Sequence, residues 1–221
     1  MASLPSGSRI AVATELSEPK AVTEISNAVE AVCKSAAHAL QAGDIVVLTS
    51  GWSQLSDRVA RVKAVTAPDG FTLEGFNTTN LNLFPAGAGM GSFQKVLTWV
   101  DLVKVLRNDA SGGAPKKVTY RYSGDYSDRE LNDGFAAVAR NLEIDADAIE
   151  TAGYKALVAL TETDADTVVR TTTKKGAVSY LPATVAMNEE VLMQDGQINR
   201  VSVDISGKAR STRYAKSVAI V

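Results

Sequence analysis

Residues 166–203 read DTVVRTTTKKGAVSYLPATVAMNEEVLMQDGQINRVSV, and this stretch decides the fold class. β-Branched residues fill 167–173, Lys174, Lys175 and Gly176 form a turn, and 177–186 resume the strand pattern. Asp195 and Gly196 then separate 187–193 from 198–205, the strongest short-range hairpin signal a sequence offers. The run is a chain of β-hairpins with no set of catalytic residue types inside it. Just upstream the spacing predicts one helix over 151–161. Thr151 is placed to cap it, and Tyr154, Leu157, Val158 and Thr161 recur on one face. Glu150 lies near its positive end, a favourable position for a carboxylate.

Working outward, 1–20 reads as an arm leading into a short strand marked by Ile10 and Val12. Four β-type runs follow, at 29–34, 44–49, 58–65 and 71–76, separated by turn signals at 42–44, 50–52 and 68–70. Residues 77–93 carry no helical period and return the chain as a linker. Residues 95–106 are β-branched and aromatic, the pattern of a strand, although their apolar residues also allow a helix. Residues 107–117 read as a flexible loop because of Gly112, Gly113 and Pro115. Residues 117–122 alternate as a half-buried strand, and another strand is expected over 135–145.

Composition narrows the function classes. The chain has 221 residues with a formal charge of −2, which argues against a dedicated nucleic-acid binder, whose footprint is a strong basic excess. Cys33 is the single cysteine, so no intrachain disulfide and no cysteine-based zinc site is expected; it reads as a small buried residue on a strand. The opening lacks the cationic and apolar regions of a signal peptide. No window approaches the roughly 20 apolar residues of a membrane span, and no membrane association is expected.

Candidate chemistry is thin. Gly87, Gly89 and Gly91 superficially suggest a dinucleotide loop, but such a loop must follow a strand and open a helix. His38 is the lone histidine and reads as ordering the turn before a strand. Carboxylates cluster at Glu143, Asp145, Asp147 and Glu150 and again at Glu162, Asp164 and Asp166. Both groups fit solvated or capping roles better than a facing catalytic pair. Trp52 and Trp99 are core or interface anchors first and sugar platforms second. No catalytic, cofactor-binding or metal-binding residue is assigned.

Five segments carry a resemblance: GSRIAVATELSEPKAVTEISNA (7–28), HALQAGDIVVLTSGW (38–52), FNTTNLNLFPAGAGMGS (76–92), NDGFAAVARNLEIDADAIETAGYKALVAL (132–160) and MNEEVLMQDGQINRVSVDISGKA (187–209). In order and texture they resemble the tail tube (major tail) proteins of long, non-contractile-tailed bacteriophages, over nearly the whole chain. The resemblance implies a mainly β fold, a β-sandwich or barrel with one α-helix packed on the sheets. It further implies a non-enzymatic virion subunit without cofactors, assembled in the host cytoplasm into hexameric rings that stack as a tube. DNA would pass through the lumen without specific binding, and the other partners would be tape-measure, tail-tip and terminator proteins. Family members bridge rings with a long loop and terminal arms. The candidates here are Arg107, Asn108, Asp109, Gly112, Gly113, Lys116 and Lys117 for the loop and the two terminal segments for the arms.

Asn141, Glu143 and Asp145 share one parity against Leu142 and Ile144 and are the candidate lumen-facing set, although the alternation leaves open whether their face is lumenal or external. The whole chain is expected to form one tube domain. Residues 21–86 are read as a small β-rich insertion facing outward, the alternative being that some of their strands belong to the tube. The rival reading is a monomeric carbohydrate-binding β-sandwich module of a virion tail tip, with Trp52 or Trp99 as the sugar platform.

Overall fold

The computed structural model describes residues 7–215; the ends of both expected arms, 1–6 and 216–221, lie outside the described residues. In chain order the strands are β1 (Arg9–Leu16), β2 (Lys20–Val22), β3 (Glu24–Ile25), β4 (Val32–Lys34), β5 (Ile45–Ser50), β6 (Arg58–Thr66), β7 (Gly70–Leu73) and β8 (Gly91–Leu102). They continue as β9 (Val105–Gly112), β10 (Pro115–Tyr120), β11 (Arg129–Phe135) and β12 (Val138–Asp145). After helix α1 (Ala152–Thr163) come β13 (Thr167–Thr172), β14 (Val178–Leu192), β15 (Arg200–Gly207) and β16 (Thr212–Tyr214). The fold is mainly β with one helix.

All but β10 and β11 join one sheet, ordered β3-β4-β7-β6-β5-β8-β1-β13-β14-β15-β12-β9, with β2 on β8 and β16 on β14. Every pairing is antiparallel. Two hairpins of the opening stretch form about the expected turns, β13–β14 around Lys174, Lys175 and Gly176 and β14–β15 around Asp195 and Gly196. The segments 177–186 and 187–193, read separately, are one continuous strand.

Helix α1 begins where Thr151 takes the hydrogen bond of the Tyr154 N–H at 3.3 Å. It ends at Asp164 in the left-handed region, whose N–H returns to the last turn. Its buried face is Tyr154, Leu157 and Leu160. Those three side chains meet Ile10 and Val12 of β1, Leu102 of β8, Leu142 and Ile144 of β12, and Val201, Val203 and Ile205 of β15 in one cluster. A sheet whose distant strands reach the same helix must curl around it. Full burial of Leu157 contributes on the order of 1.5–3 kcal/mol.

Residues 21–86 supply every buried member of a second cluster, which includes Cys33, Trp52 and Phe71, except Phe93. The module has its own core and shares β8 with the large sheet: the first part of β8 pairs β5 and β2, the second part pairs β1. A third cluster, with Ala13, Ile45, Val59, Val168, Tyr180 and Tyr214, lies where the module covers the sheet face opposite α1.

Several expectations are corrected. Residues 107–117 are not a flexible loop, because Val105–Gly112 pairs along β12 from Ile144 back to Val138. Gly112 and Gly113, at φ +73° and +70°, instead make the bend by which the chain leaves that sheet. A Cβ on Gly112 would lie 1.7 Å from the Ala137 carbonyl oxygen, so only glycine fits. Residues 117–122 are not half buried: β10 pairs only β11, in a ribbon exposed on nearly all its residues. The strand expected over 135–145 is two, since the polar Arg129–Phe135 is also a strand and the chain bends at Ala136 and Ala137. Residues 29–31 precede β4 outside any strand.

Candidate assembly surfaces

Alternation along β12 sends Leu142 and Ile144 into the core, and therefore Asn141, Glu143 and Asp145 to the opposite face. Register extends that face sideways. Asn141 stands opposite Asp204 of β15 and Asp109 of β9, and Glu143 opposite Ser202 and Arg107. Asp204 and Ser202 in turn face Ala186 and Asn188 of β14. The three residues picked from the sequence are thus brought together with Arg107 and Asp109, which the sequence reading had assigned to a separate loop.

Apart from Ala139 and Ala186 these paired positions are polar, and a hydrogen bond and ion pairs link them. The Asn141 amide donates to Asp204 at 2.7 Å. Arg107 lies 2.6 Å from Asp109 and 3.8 Å from Glu143, Arg200 lies 3.3 Å from Glu143, and Lys104 lies 3.9 Å from Asp145. The four carboxylates Asp109, Glu143, Asp145 and Asp204 outnumber the three cations Arg107, Arg200 and Lys104 by one, so these groups leave the surface between the edges of β14 and β9 slightly acidic. Such a surface binds water and repels phosphate.

The face ends at β9, the last strand in the order, whose far edge pairs no strand among the described residues. From Leu106 to Gly112 every residue of β9 is exposed. An eight-residue strand with one row of unpaired N–H and C=O groups is a template for another chain.

Beyond Gly113 the β10–β11 ribbon projects as an amphipathic unit. Val118 stands opposite Leu131 and Tyr120 opposite Arg129, so these four share one side. Tyr122 extends that side, with its ring 5.5 Å from Tyr120 and the Arg129 guanidinium over it. The other side carries the ion pairs Lys117–Glu130 at 2.5 Å and Arg121–Asp128 at 3.8 Å. Lys116 and Lys117 therefore belong to this ribbon. Sequence reasoning missed its second strand; the signal was Leu131 at hairpin distance from Val118 across the turn-forming 123–128 segment.

The residues weighed for chemistry have structural work. Trp52 is buried, donates from Nε1 to the Pro85 carbonyl at 2.8 Å and meets Phe84 edge-on. The glycine-rich loop lies flat against it: a Cβ on Gly89 would come within 2.9 Å of the indole. Trp99 is half buried with Arg170 across its ring at 4.6 Å, so neither tryptophan offers an open sugar platform. His38 accepts the Leu40 N–H at its Nδ1, 3.0 Å away, ordering the turn. Cys33 is buried and its thiol is pushed up to about 12 by that burial. Asp145 caps the short turn Ala146–Ala148, and Glu150 pairs with Lys155 at 2.8 Å. No group of three or more His, Cys, Asp and Glu residues among the described ones is arranged to hold a metal ion. No described helix is long and apolar enough to cross a membrane.

A search of curated proteins finds no match to the chain. The family model described as "Phage tail tube protein, TTP" matches residues 50–216, which include the polar face, the β9 edge, the ribbon and α1. With that match extending over more than half of its length, the chain belongs to the phage tail tube protein family, the structural subunits of the virion tail.

Proposed function

We propose that this subunit closes with five copies of itself into a ring, that rings stack into a hollow tube, and that the polar face of β15, β12 and β9 is the wall of the bore. The observation that carries the reading is that face, polar apart from Ala139 at the paired positions of β12 and β15 and ending at β9, whose far edge pairs no strand among the described residues. In a ring each β9 edge meets a neighbour, and the same heterologous contact repeated around an axis leaves no edge open. A net acidic wall lets DNA slide, because phosphate gains no counter-ion release from carboxylates. The opposite face is filled by α1, and the 21–86 module covers another part of the sheet, around Ala13, Val168 and Tyr180; an outward position for the module is part of the proposal.

The inter-ring role attached by resemblance to a long loop passes from 107–117 to the ribbon, together with the terminal arms. Assembly takes place in the host cytoplasm around a tape-measure protein, between tail-tip and terminator proteins. Light scattering and negative-stain microscopy of the concentrated chain, with and without a tail-tip initiator complex, test the reading. Rings or hollow tubes are expected; a monomer under both conditions would overturn it.

A further inference from the structure

Beside α1, at the border of its buried face, a groove of about 300 Å³ is lined by Ile149, Tyr154, Val158 and Ala159. Its rim carries Glu150, Glu162 and Glu189 and a single cation, Lys155. Lys155 is already tied to Glu150 at 2.8 Å, and Glu189 takes only a long hydrogen bond, 3.4 Å, from the Tyr154 hydroxyl. The floor is apolar, with Ile149 exposed, and the rim holds two carboxylates in excess of its lysine. An extended segment with a cation beside a run of aliphatic side chains is the complementary ligand.

The sequence contains such a segment outside the described residues: Lys216-Ser217-Val218-Ala219-Ile220-Val221. It cannot come from the same molecule. Tyr214 is held opposite Val178 at the start of β14, whereas Glu189 stands near the strand's other end, roughly 36 Å away at the usual rise per strand residue. The link from Tyr214 to Val218 spans at most about 14 Å.

We propose that this groove receives residues 216–221 of a second copy of the chain, with Val218 and Ile220 over Val158 and Ala159 and Lys216 between Glu162 and Glu189. The proposal rests on the self-assembly reading above and supplies a receptor for one arm.

The test mixes two full-length variants, Val158→Cys and Ile220→Cys, under conditions where the native chain assembles, followed by mild oxidation. Native Cys33 is buried and does not compete. Mass spectrometry is expected to find a disulfide joining position 158 of one chain to position 220 of the other, and Ala159→Cys serves if Val158→Cys folds poorly. Independently, Glu162→Lys with Glu189→Lys should raise the assembly threshold at least tenfold, and adding Lys216→Glu should restore most of it. Assembly without the cross-link, or a threshold unmoved by charge reversal, overturns the groove assignment and leaves self-assembly standing. A native chain that never assembles overturns both.

Discussion

Tyr214 holds the C-terminal strand, the module and the large sheet together. Its hydroxyl accepts the Arg61 N–H at 2.9 Å, and its ring stacks under the Arg61 guanidinium at 4.4 Å. Arg61 in turn grips Glu74 with two short bonds, 2.5 and 2.6 Å. The Arg61 hydrogen bond holds the Glu74 carboxyl below its ordinary value of 4.5, against the opposing effect of burial. A depressed carboxyl pKa stabilises the fold above the ordinary value, and that contribution is lost as pH falls through the lowered one. Glu74→Gln should therefore lower stability by about 1–2 kcal/mol at pH 7. The gap to the native chain should close progressively below pH 4.5 in paired thermal melts. A gap independent of pH would show that the ion pair contributes nothing. Individual anchors of this kind were legible only as residue types: that Cys33 and Trp52 belong to a core follows from composition, but the Arg61–Glu74–Tyr214 clamp joins positions far apart in the chain that no local pattern connects.

Among the elements, the pattern spoke clearly where one side of a strand is buried. The hairpins of 166–203 and the alternation at Leu142 and Ile144 could be read because burial imposes a period of two. Residues 107–112 were opaque for the opposite reason. An edge strand exposed on all but its first residue, Val105, has no apolar period, and Gly112 and Gly113 are the same letters in a floppy loop and in a fixed bend. The two uses of glycine separate on substitution. Gly112→Ala, at positive φ and against the Ala137 carbonyl, is expected to cost about 1–3 kcal/mol and to disorder the ribbon's base in hydrogen exchange; a neutral change would restore the loop reading. The ribbon's apolar side has its own test. An isolated two-stranded hairpin is marginal in water, so Val118→Asp with Leu131→Asp should leave the monomer's melting unchanged while preventing growth from rings to tubes in sedimentation. Tubes of native length from that variant would remove the ribbon from the inter-ring contact.

At the scale of the whole molecule, a modest charge of −2 conceals an uneven distribution. The exposed face of β15 and β12 carries Glu143, Asp145 and Asp204, whereas the sequence following Gly207 is basic through Lys208, Arg210 and Arg213. One sheet therefore presents a helix-covered side, a module-covered area and a bare acidic area. Fold class was legible from the hairpins and the single helix, whereas the joining of the acidic face to β9 required the register of β12 with β9, whose partners lie 26–39 residues apart, and with β15, whose partners lie 55–67 apart. The most direct measurement is a helical reconstruction of the assembled tube by electron cryomicroscopy. Asn141, Glu143 and Asp204 should line the bore, with α1 and residues 21–86 outside it. A bore walled by α1 or by the module would contradict the account.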